Sequence, residues 1–111
     1  MHEYSIAYDI YATARKAALE NKAILVKRIY IDIGEMAMVN PDQVEFLFHA
    51  IAEEDPLFKG VTLETHTITP EVRCSCGYEG TTLYVCPLCG ALPELVRGKE
   101  VLVSNIEVEV D

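Results

Sequence analysis

The clearest indication of the fold is the stretch Ile29-Tyr30-Ile31-Asp32-Ile33-Gly34, because its isoleucines alternate strictly with Tyr30 and Asp32. A period of two residues puts the three isoleucines on one face of a β-strand and the polar side chains on the other. We therefore predict a half-buried strand over residues 24–33, ended by Gly34.

Helical periodicity flanks this strand on both sides. Before it, residues 5 to about 22 are rich in alanine, with Ser5 as the predicted cap and Asn21 as the left-handed end. After it, Asn40 is the predicted cap of a second helix, with Pro41 in the first turn and Gln43 reaching back. The core-facing stripes are Ile6, Ile10, Ala14, Ala17 and Ala18 in the first helix, and Val44, Leu47, Phe48 and Ile51 in the second.

Two further segments have the composition of strands, residues 61–68 and residues 101–110. In the last one the apolar phase shifts between Val103 and Ile106, which predicts a bulge or bend at Ser104-Asn105. The expected fold class is α+β, with two helices packed on a small mixed β-sheet and a cysteine-bearing insertion between two of its strands.

Composition and charge exclude several classes of function. The chain has 111 residues, of which 50% are hydrophobic and 24% charged, so it can bury a core. Nine basic against 18 acidic residues give a net charge of −9, which argues against nucleic-acid binding. No apolar run approaches the roughly 20 residues of a membrane helix, and the N-terminus lacks the features of a secretory signal. We expect a cytoplasmic protein with no nucleic-acid and no membrane partner.

All four cysteines cluster in the insertion, as Cys74-Ser75-Cys76-Gly77 and Cys86-Pro87-Leu88-Cys89-Gly90. Paired thiolates can face one ion, and a glycine after the pair permits the turn that aims backbone amides at sulfur. Four thiolates close a tetrahedral shell, so we predict a structural zinc at Cys74, Cys76, Cys86 and Cys89. Iron in the same shell, or a redox dithiol or disulfide pair, are the alternatives. The first pair is one residue short, and residues 78–85 are expected to form a hairpin.

The start of the chain, Met1-His2-Glu3, offers a second set of metal donors. The Met1 amine, the His2 amide nitrogen and the His2 ring nitrogen can close fused chelate rings, with the Glu3 amide or an outside group as a fourth donor. Planar nitrogen donation suits nickel(II) and copper(II), whereas zinc prefers a tetrahedron. The alternative is that Met-His stands at the start by chance.

The remaining reactive side chains indicate no enzyme. His49 on the second helix and His66 on its strand are both expected to be solvated. With every cysteine assigned to the cluster, no nucleophilic dyad or triad remains, and the chain has no glycine-rich phosphate loop.

Together these features resemble the HypA family, the nickel-insertion accessory proteins of nickel–iron hydrogenase maturation. The resemblance covers nearly the whole chain and rests on four elements: Met1-His2-Glu3-Tyr4-Ser5, Ile33-Gly34-Glu35, the late four-cysteine ribbon and the β-branched C-terminal strand.

The resemblance implies a metallochaperone rather than an enzyme. It implies that His2 is the nickel ligand, assisted by the Met1 amine and by the backbone nitrogens of His2 and Glu3. The partners it implies are a HypB-like GTPase and the hydrogenase large subunit or its maturation complex; some relatives also serve urease. No metal role is carried onto Asn40, which is explained as a helix cap.

The expected organisation is a nickel-binding α+β domain of residues 1–70 plus 97–111, with a zinc-ribbon domain of residues 71–96. The competing hypothesis is a zinc-ribbon adaptor that recruits a protein partner and has no nickel function.

Overall fold

The computed structural model describes residues 3–81 and 84–111. In this part of the chain the helices are α1 (Glu3–Glu20) and α2 (Pro41–Ala52). The strands are β1 (Ala23–Gly34), β2 (Thr62–Ile68), β3 (Glu71–Arg73), β4 (Glu79–Gly80), β5 (Glu94–Arg97) and β6 (Val101–Val110). Short 3-10 turns occupy Glu35–Ala37 and Pro56–Phe58.

The strands form two separate sheets. The first has the order β2-β1-β6, with β1 parallel to β2 and antiparallel to β6, so it is mixed as predicted. The second, with the order β4-β3-β5, is antiparallel throughout. We call the helices and the first sheet the α+β body, and residues 71–97 the ribbon. The molecule measures 56 × 25 × 16 Å, with a radius of gyration of 17.3 Å against about 13 Å for a compact domain of this size. The molecule is therefore elongated.

The core lies between the helices and one face of the mixed sheet. Ile29 and Ile31 of β1 are completely buried, as the alternating pattern predicts. Phe48 of α2 packs edge-on against Phe58, with ring centroids 5.8 Å apart. The predicted helix stripes face this core except at Ala17, which is half-buried outside it; Ile6, Leu47 and Ile51 are partly buried at the margin of the core.

The cap of α2 is confirmed, whereas both predicted ends of α1 are wrong. The Asn40 side chain accepts hydrogen bonds from the backbone amides of Asp42 and Gln43, at 3.0 and 3.3 Å. Ser5 lies inside α1, because the helix already begins at Glu3. The left-handed residue after α1 is Lys22, with φ of 57°. Asn21 instead donates its side-chain amide to the Ala17 carbonyl at 2.7 Å.

The predicted irregularity in the last strand is confirmed as a β-bulge. Tyr30 pairs with Asn105 and Ile31 with Val103, so Ser104 is the extra residue. Its hydroxyl donates to the Tyr30 carbonyl at 3.3 Å. The bulge returns Ile106 to the core-facing side, which accounts for the shifted apolar phase.

The α+β body and the ribbon meet at a close backbone crossing beside Gly34. The Gly34 amide donates to the Glu100 carbonyl at 2.8 Å, and the Met36 amide donates to the Gly98 carbonyl at 2.8 Å. A Cβ atom on Gly34 would collide with the Gly98 carbonyl, so only glycine fits. Gly98 has a φ of +95° and its own hypothetical Cβ would lie 2.6 Å from the Cα of Pro70.

Candidate metal centre

The first cysteine pair lies in the turn between β3 and β4. The Cys74 amide donates to the Tyr78 carbonyl at 2.8 Å, and the Gly77 amide donates to the Cys74 carbonyl at 3.0 Å. Gly77 has a φ of +101°, which side chains rarely adopt. This tight turn holds Cys74 and Cys76 on the same side of the ribbon.

The second pair lies in a turn that is one residue longer, before β5. The Gly90 amide donates to the Cys86 carbonyl at 2.9 Å, and Gly90 has a φ of +77°. The Leu88 amide points at the Cys86 sulfur, 3.4 Å away. The glycines that follow the cysteine pairs therefore have the left-handed conformation that the sequence pattern predicts.

The structure brings all four predicted thiols together, with every sulfur within 4.8 Å of the others. The Cys74 and Cys89 sulfurs are 3.5 Å apart and those of Cys76 and Cys86 are 3.6 Å apart. A disulfide requires about 2.05 Å, whereas sulfurs around a tetrahedral zinc with bonds of about 2.3 Å lie about 3.8 Å apart. The spacing and the donor set therefore fit one ion held by four thiolates.

Local hydrogen bonds favour ionisation of the Cys86 thiol. Burial of Cys86 opposes ionisation of its thiol and raises the pKa. Hydrogen bonds from the backbone amides of Cys89 and Leu88 outweigh the effect of burial, so the pKa of Cys86 is lowered to about 6. At Cys89 the Ala91 amide favours the thiolate, but contacts with Cys74, Cys76 and Cys86 raise the pKa to about 12. Crowded sulfurs thus resist losing all their protons together unless a cation offsets the charge.

The hairpin in the structure lies earlier in the chain than the predicted hairpin of residues 78–85. β4 pairs with β3, through Val72 with Gly80 and Arg73 with Glu79, so the hairpin runs around the first cysteine pair. The left-handed Gly77 makes this turn tight enough for the chain to return directly onto β3. Thr82 and Leu83, which belong to the predicted hairpin, lie outside the described residues.

Of the predicted nickel ligands, only Glu3 lies within the described residues. Met1 and His2 are outside the described residues, and Glu3 is the first residue of the helix. The first turns of α1 lie beside the segment that leads from the ribbon into β6, since Ile6 and Lys99 line the same groove. The N-terminal end of α1 is therefore close to the junction of the α+β body and the ribbon.

The other histidines lie apart from the thiol cluster. His49 is exposed on α2, next to the ring of Phe48, and His66 is exposed on β2, as expected. Within residues 3–81 and 84–111, no second group of three or more His, Cys, Asp or Glu side chains converges as metal ligands would. Neither described helix is both long enough and apolar enough to cross a membrane.

Sequence reasoning missed one polar cluster, which joins α1 to the segment that follows α2. The Tyr11 hydroxyl donates to an Asp55 carboxylate oxygen at 2.6 Å, and Arg15 lies 3.4 Å from the same oxygen. Asp55 also accepts from the Leu57 amide at 3.0 Å. The only local signal is that Tyr11 and Arg15 lie one turn apart on α1.

Fold and site together define a class, the small α+β proteins that carry a four-cysteine metal-binding ribbon. Residues 1–108 match the family described as hydrogenase/urease nickel incorporation, metallochaperone, hypA. The chain therefore belongs to the HypA family, and the resemblance seen in the sequence is confirmed.

Individual relatives and solved structures agree with this membership. The hydrogenase maturation factor HypA of Methanocella arvoryzae is 38% identical, over 99% of this chain and 100% of that protein. The hydrogenase maturation factor HypA of one strain of Dehalococcoides mccartyi is 39% identical, over 98% of this chain and 95% of that protein. The solution structure of the Ni metallochaperone HypA from Helicobacter pylori has a similar fold, with a TM-score of 0.82 at 23% identity over the whole of both chains.

Proposed function

We propose that this protein is a nickel metallochaperone that binds Ni(II) at its N-terminus and delivers it for the maturation of a nickel–iron hydrogenase. The observation that carries the proposal is the match to the HypA family over residues 1–108. The full-length similarity to proteins named as hydrogenase maturation factors supports the hydrogenase as the end point of delivery.

The nickel ligands in this proposal are the Met1 amine, the His2 amide and ring nitrogens, and the Glu3 amide. The amide of a residue at the start of a helix has no intrahelical carbonyl to bind, so that of Glu3 is available. The positive end of the helix dipole also favours the negative charge of an amide that has lost its proton to a metal. A site at a chain end can rearrange during transfer, which favours release of the cargo.

Cys74, Cys76, Cys86 and Cys89 hold a structural zinc in this proposal. The thiolates would complete its shell and leave no position for a substrate, so the zinc supplies stability rather than catalysis. The described part of the ribbon supports this assignment, because its buried apolar side chains are limited to Val72, Pro93 and the cysteines Cys74 and Cys86. So small a core needs a metal to fold.

The same proposal assigns two domains and no catalytic activity. Residues 1–70 plus 97–111 form the nickel-binding domain, and residues 71–96 form the zinc-ribbon domain. Membership of the HypA family supports interaction with the hydrogenase maturation machinery. We propose a HypB-like GTPase and the hydrogenase large subunit or its maturation complex as the partners. The thiols of the cluster favour a reducing compartment, the cytoplasm.

The test is a calorimetric titration of untagged, zinc-loaded protein with Ni(II). His2→Ala is expected to weaken nickel binding by at least about tenfold, since it removes one planar donor. His49→Ala is the matched control, because it removes an exposed imidazole on α2 that has no part in the proposed nickel site. Equal nickel affinity of the unaltered protein and His2→Ala would falsify the assignment of His2.

Acetylation of the Met1 amine separates nickel delivery from the adaptor hypothesis. The modification removes the amine donor without changing any described residue, so a nickel chaperone loses affinity and its planar nickel absorption band. A zinc-ribbon adaptor without nickel function predicts only background nickel binding before and after acetylation.

A further inference from the structure

One edge of the mixed sheet is open along β6. β1 occupies one side of β6, and among residues 3–81 and 84–111 no strand pairs with its other side. Sheet edges are commonly protected by lysine, proline or a bulge. β6 contains neither lysine nor proline, and its bulge lies at Ser104. The Asn105 side chain, which accepts from the Ile106 amide at 3.0 Å, covers only the middle of the strand. Residues 101–103 remain open.

A groove runs beside this open segment, between β6 and α1. Its volume is about 350 Å³. Ile6 and Ile10 of α1 form one wall, and Val101 and Val103 form the other. A strand added to the edge of β6 would direct every second side chain into this groove, because side chains alternate between the two faces of a sheet. An open strand edge beside an apolar groove is the arrangement that recognises extended peptides.

The charges around the groove favour a basic segment as its occupant. Asp9 lines the groove, is exposed and forms no ion pair in the described part of the chain, while Lys99 lies at the end next to the ribbon. Three acids follow in or beside β6, namely Glu107, Glu109 and Asp111. Two copies of a chain with a net charge of −9 repel each other, which disfavours self-pairing along this edge. A basic segment is attracted instead.

We propose that the edge of β6 and the groove under α1 bind an extended, basic segment of a partner protein by strand addition. Backbone hydrogen bonds to residues 101–103 hold the segment, and its alternate apolar side chains enter the groove. Lysine or arginine side chains between them lie on the opposite face of the sheet, as do Glu107 and Glu109 of β6, and the charge of Asp9 adds to the attraction for a basic segment. This interaction does not depend on nickel binding.

The probe is a short capped peptide in which lysine alternates with valine, titrated into the zinc-loaded full chain at low salt. We expect NMR shifts of the backbone amides of residues 101–103, Ile6 and Ile10. A glutamate–valine peptide of equal length tests charge, and one with N-methylated valines tests backbone pairing. Each is expected to bind at least about tenfold more weakly. Equal binding by the N-methylated peptide would overturn strand addition.

Two matched substitutions on α1 locate the site. Asp9→Lys reverses a charge in the groove and is expected to weaken binding of the lysine–valine peptide about tenfold. Glu20→Lys reverses a charge at the far end of the same helix and should leave binding of the lysine–valine peptide nearly unchanged. The proposal is overturned if Glu20→Lys weakens binding of the peptide as much as Asp9→Lys does, or more. It is also overturned if sedimentation shows a dimer that the peptide cannot dissociate, since a second copy would then occupy the edge.

Discussion

Asp55 shows how one side chain links elements that are distant in the sequence. It ends the segment after α2, yet it accepts the Tyr11 hydroxyl and faces Arg15 on α1. Burial raises its pKa, but the hydrogen bonds from Tyr11 and Leu57, together with Arg15, outweigh burial and lower the pKa below its ordinary 3.8. The Tyr11 pKa is raised, chiefly by its hydrogen bond to Asp55. Asp55 is therefore a charged link between α1 and the segment that follows α2.

We predict that Asp55→Asn lowers the free energy of unfolding at neutral pH by about 1 kcal/mol, because the charged hydrogen bond is lost. The lowered pKa means that the Asp55 contribution is complete above pH 3.8 and disappears as the pH falls through the folded-state pKa. Urea unfolding should therefore show a difference at pH 7 that shrinks towards pH 3.

Glu54→Gln is the control for this prediction, since it neutralises an adjacent exposed carboxylate that lines the same surface. A constant difference between Asp55→Asn and the unaltered protein from pH 7 to pH 3 would contradict a role for the charge.

Gly34 and Ser104 give physical reasons for two features of the sequence. Gly34 follows the last isoleucine of β1 because the backbone of Gly98 crosses it without room for a side chain. Ser104 interrupts the apolar alternation of β6 because it is the extra residue of a bulge. Both residues shape the backbone.

At the scale of elements, α2 is the helix that local sequence specifies most completely. Asn40 caps it, Pro41 occupies its first position, and Val44 and Phe48 bury its apolar stripe. The Asn40 side chain accepts hydrogen bonds from two backbone amides, so the capping role explains this residue and no role as a metal ligand is needed.

We predict that Asn40→Ala destabilises the protein by about 1 kcal/mol, because two amides at the helix start lose their acceptor. Thermal or urea unfolding measures the change. Asn40→Asp keeps an acceptor and should remain close to the unaltered protein, and nickel affinity should be the same in both variants. Loss of nickel binding in Asn40→Ala with unchanged stability would contradict the capping role.

The ribbon behaves differently from the helices at this scale. β3, β4 and β5 are short, and their cross-strand ion pairs, Arg73 with Glu79 and Arg97 with Glu71, are exposed. Exposed pairs of this kind contribute little to stability. The paired glycine turns place the sulfurs, and the strands alone bury too little to hold them there.

At the scale of the whole molecule, stability is divided between two centres. The apolar core lies within the α+β body, and none of the described residues between 71 and 97 belongs to it. In the proposed function the ribbon depends on its metal, whose binding free energy is on the order of 10 kcal/mol in small zinc domains. The two centres meet at the crossing of Gly34 and Gly98.

We predict that zinc removal by a chelator unfolds the ribbon and leaves the α+β body folded. Helical circular dichroism should persist, because the apolar core that holds α1 and α2 on the mixed sheet contains no described side chain of the ribbon. NMR amide signals of residues 71–97 should collapse towards unfolded positions, and readdition of zinc should restore them. Loss of the helical signal along with the zinc would show that the two centres are one cooperative unit.

Local regularities were sufficient to predict much of this architecture. The alternation of Ile29, Ile31 and Ile33 predicted the central strand, and the phase shift near Ser104 predicted the bulge. The four cysteines predicted the thiol cluster, because residue spacing and sulfur chemistry are properties of short segments.

The relations between segments that are far apart in the chain became visible only in the folded molecule. The hydrogen bond from Tyr11 to Asp55 joins residues 44 positions apart in the sequence, and no local sequence pattern predicts it. The return of β4 onto β3, the crossing of Gly34 with Gly98 and the open edge of β6 likewise depend on strand pairing. Periodicity shows which face of an element is buried, but its partner is selected by packing of the whole chain.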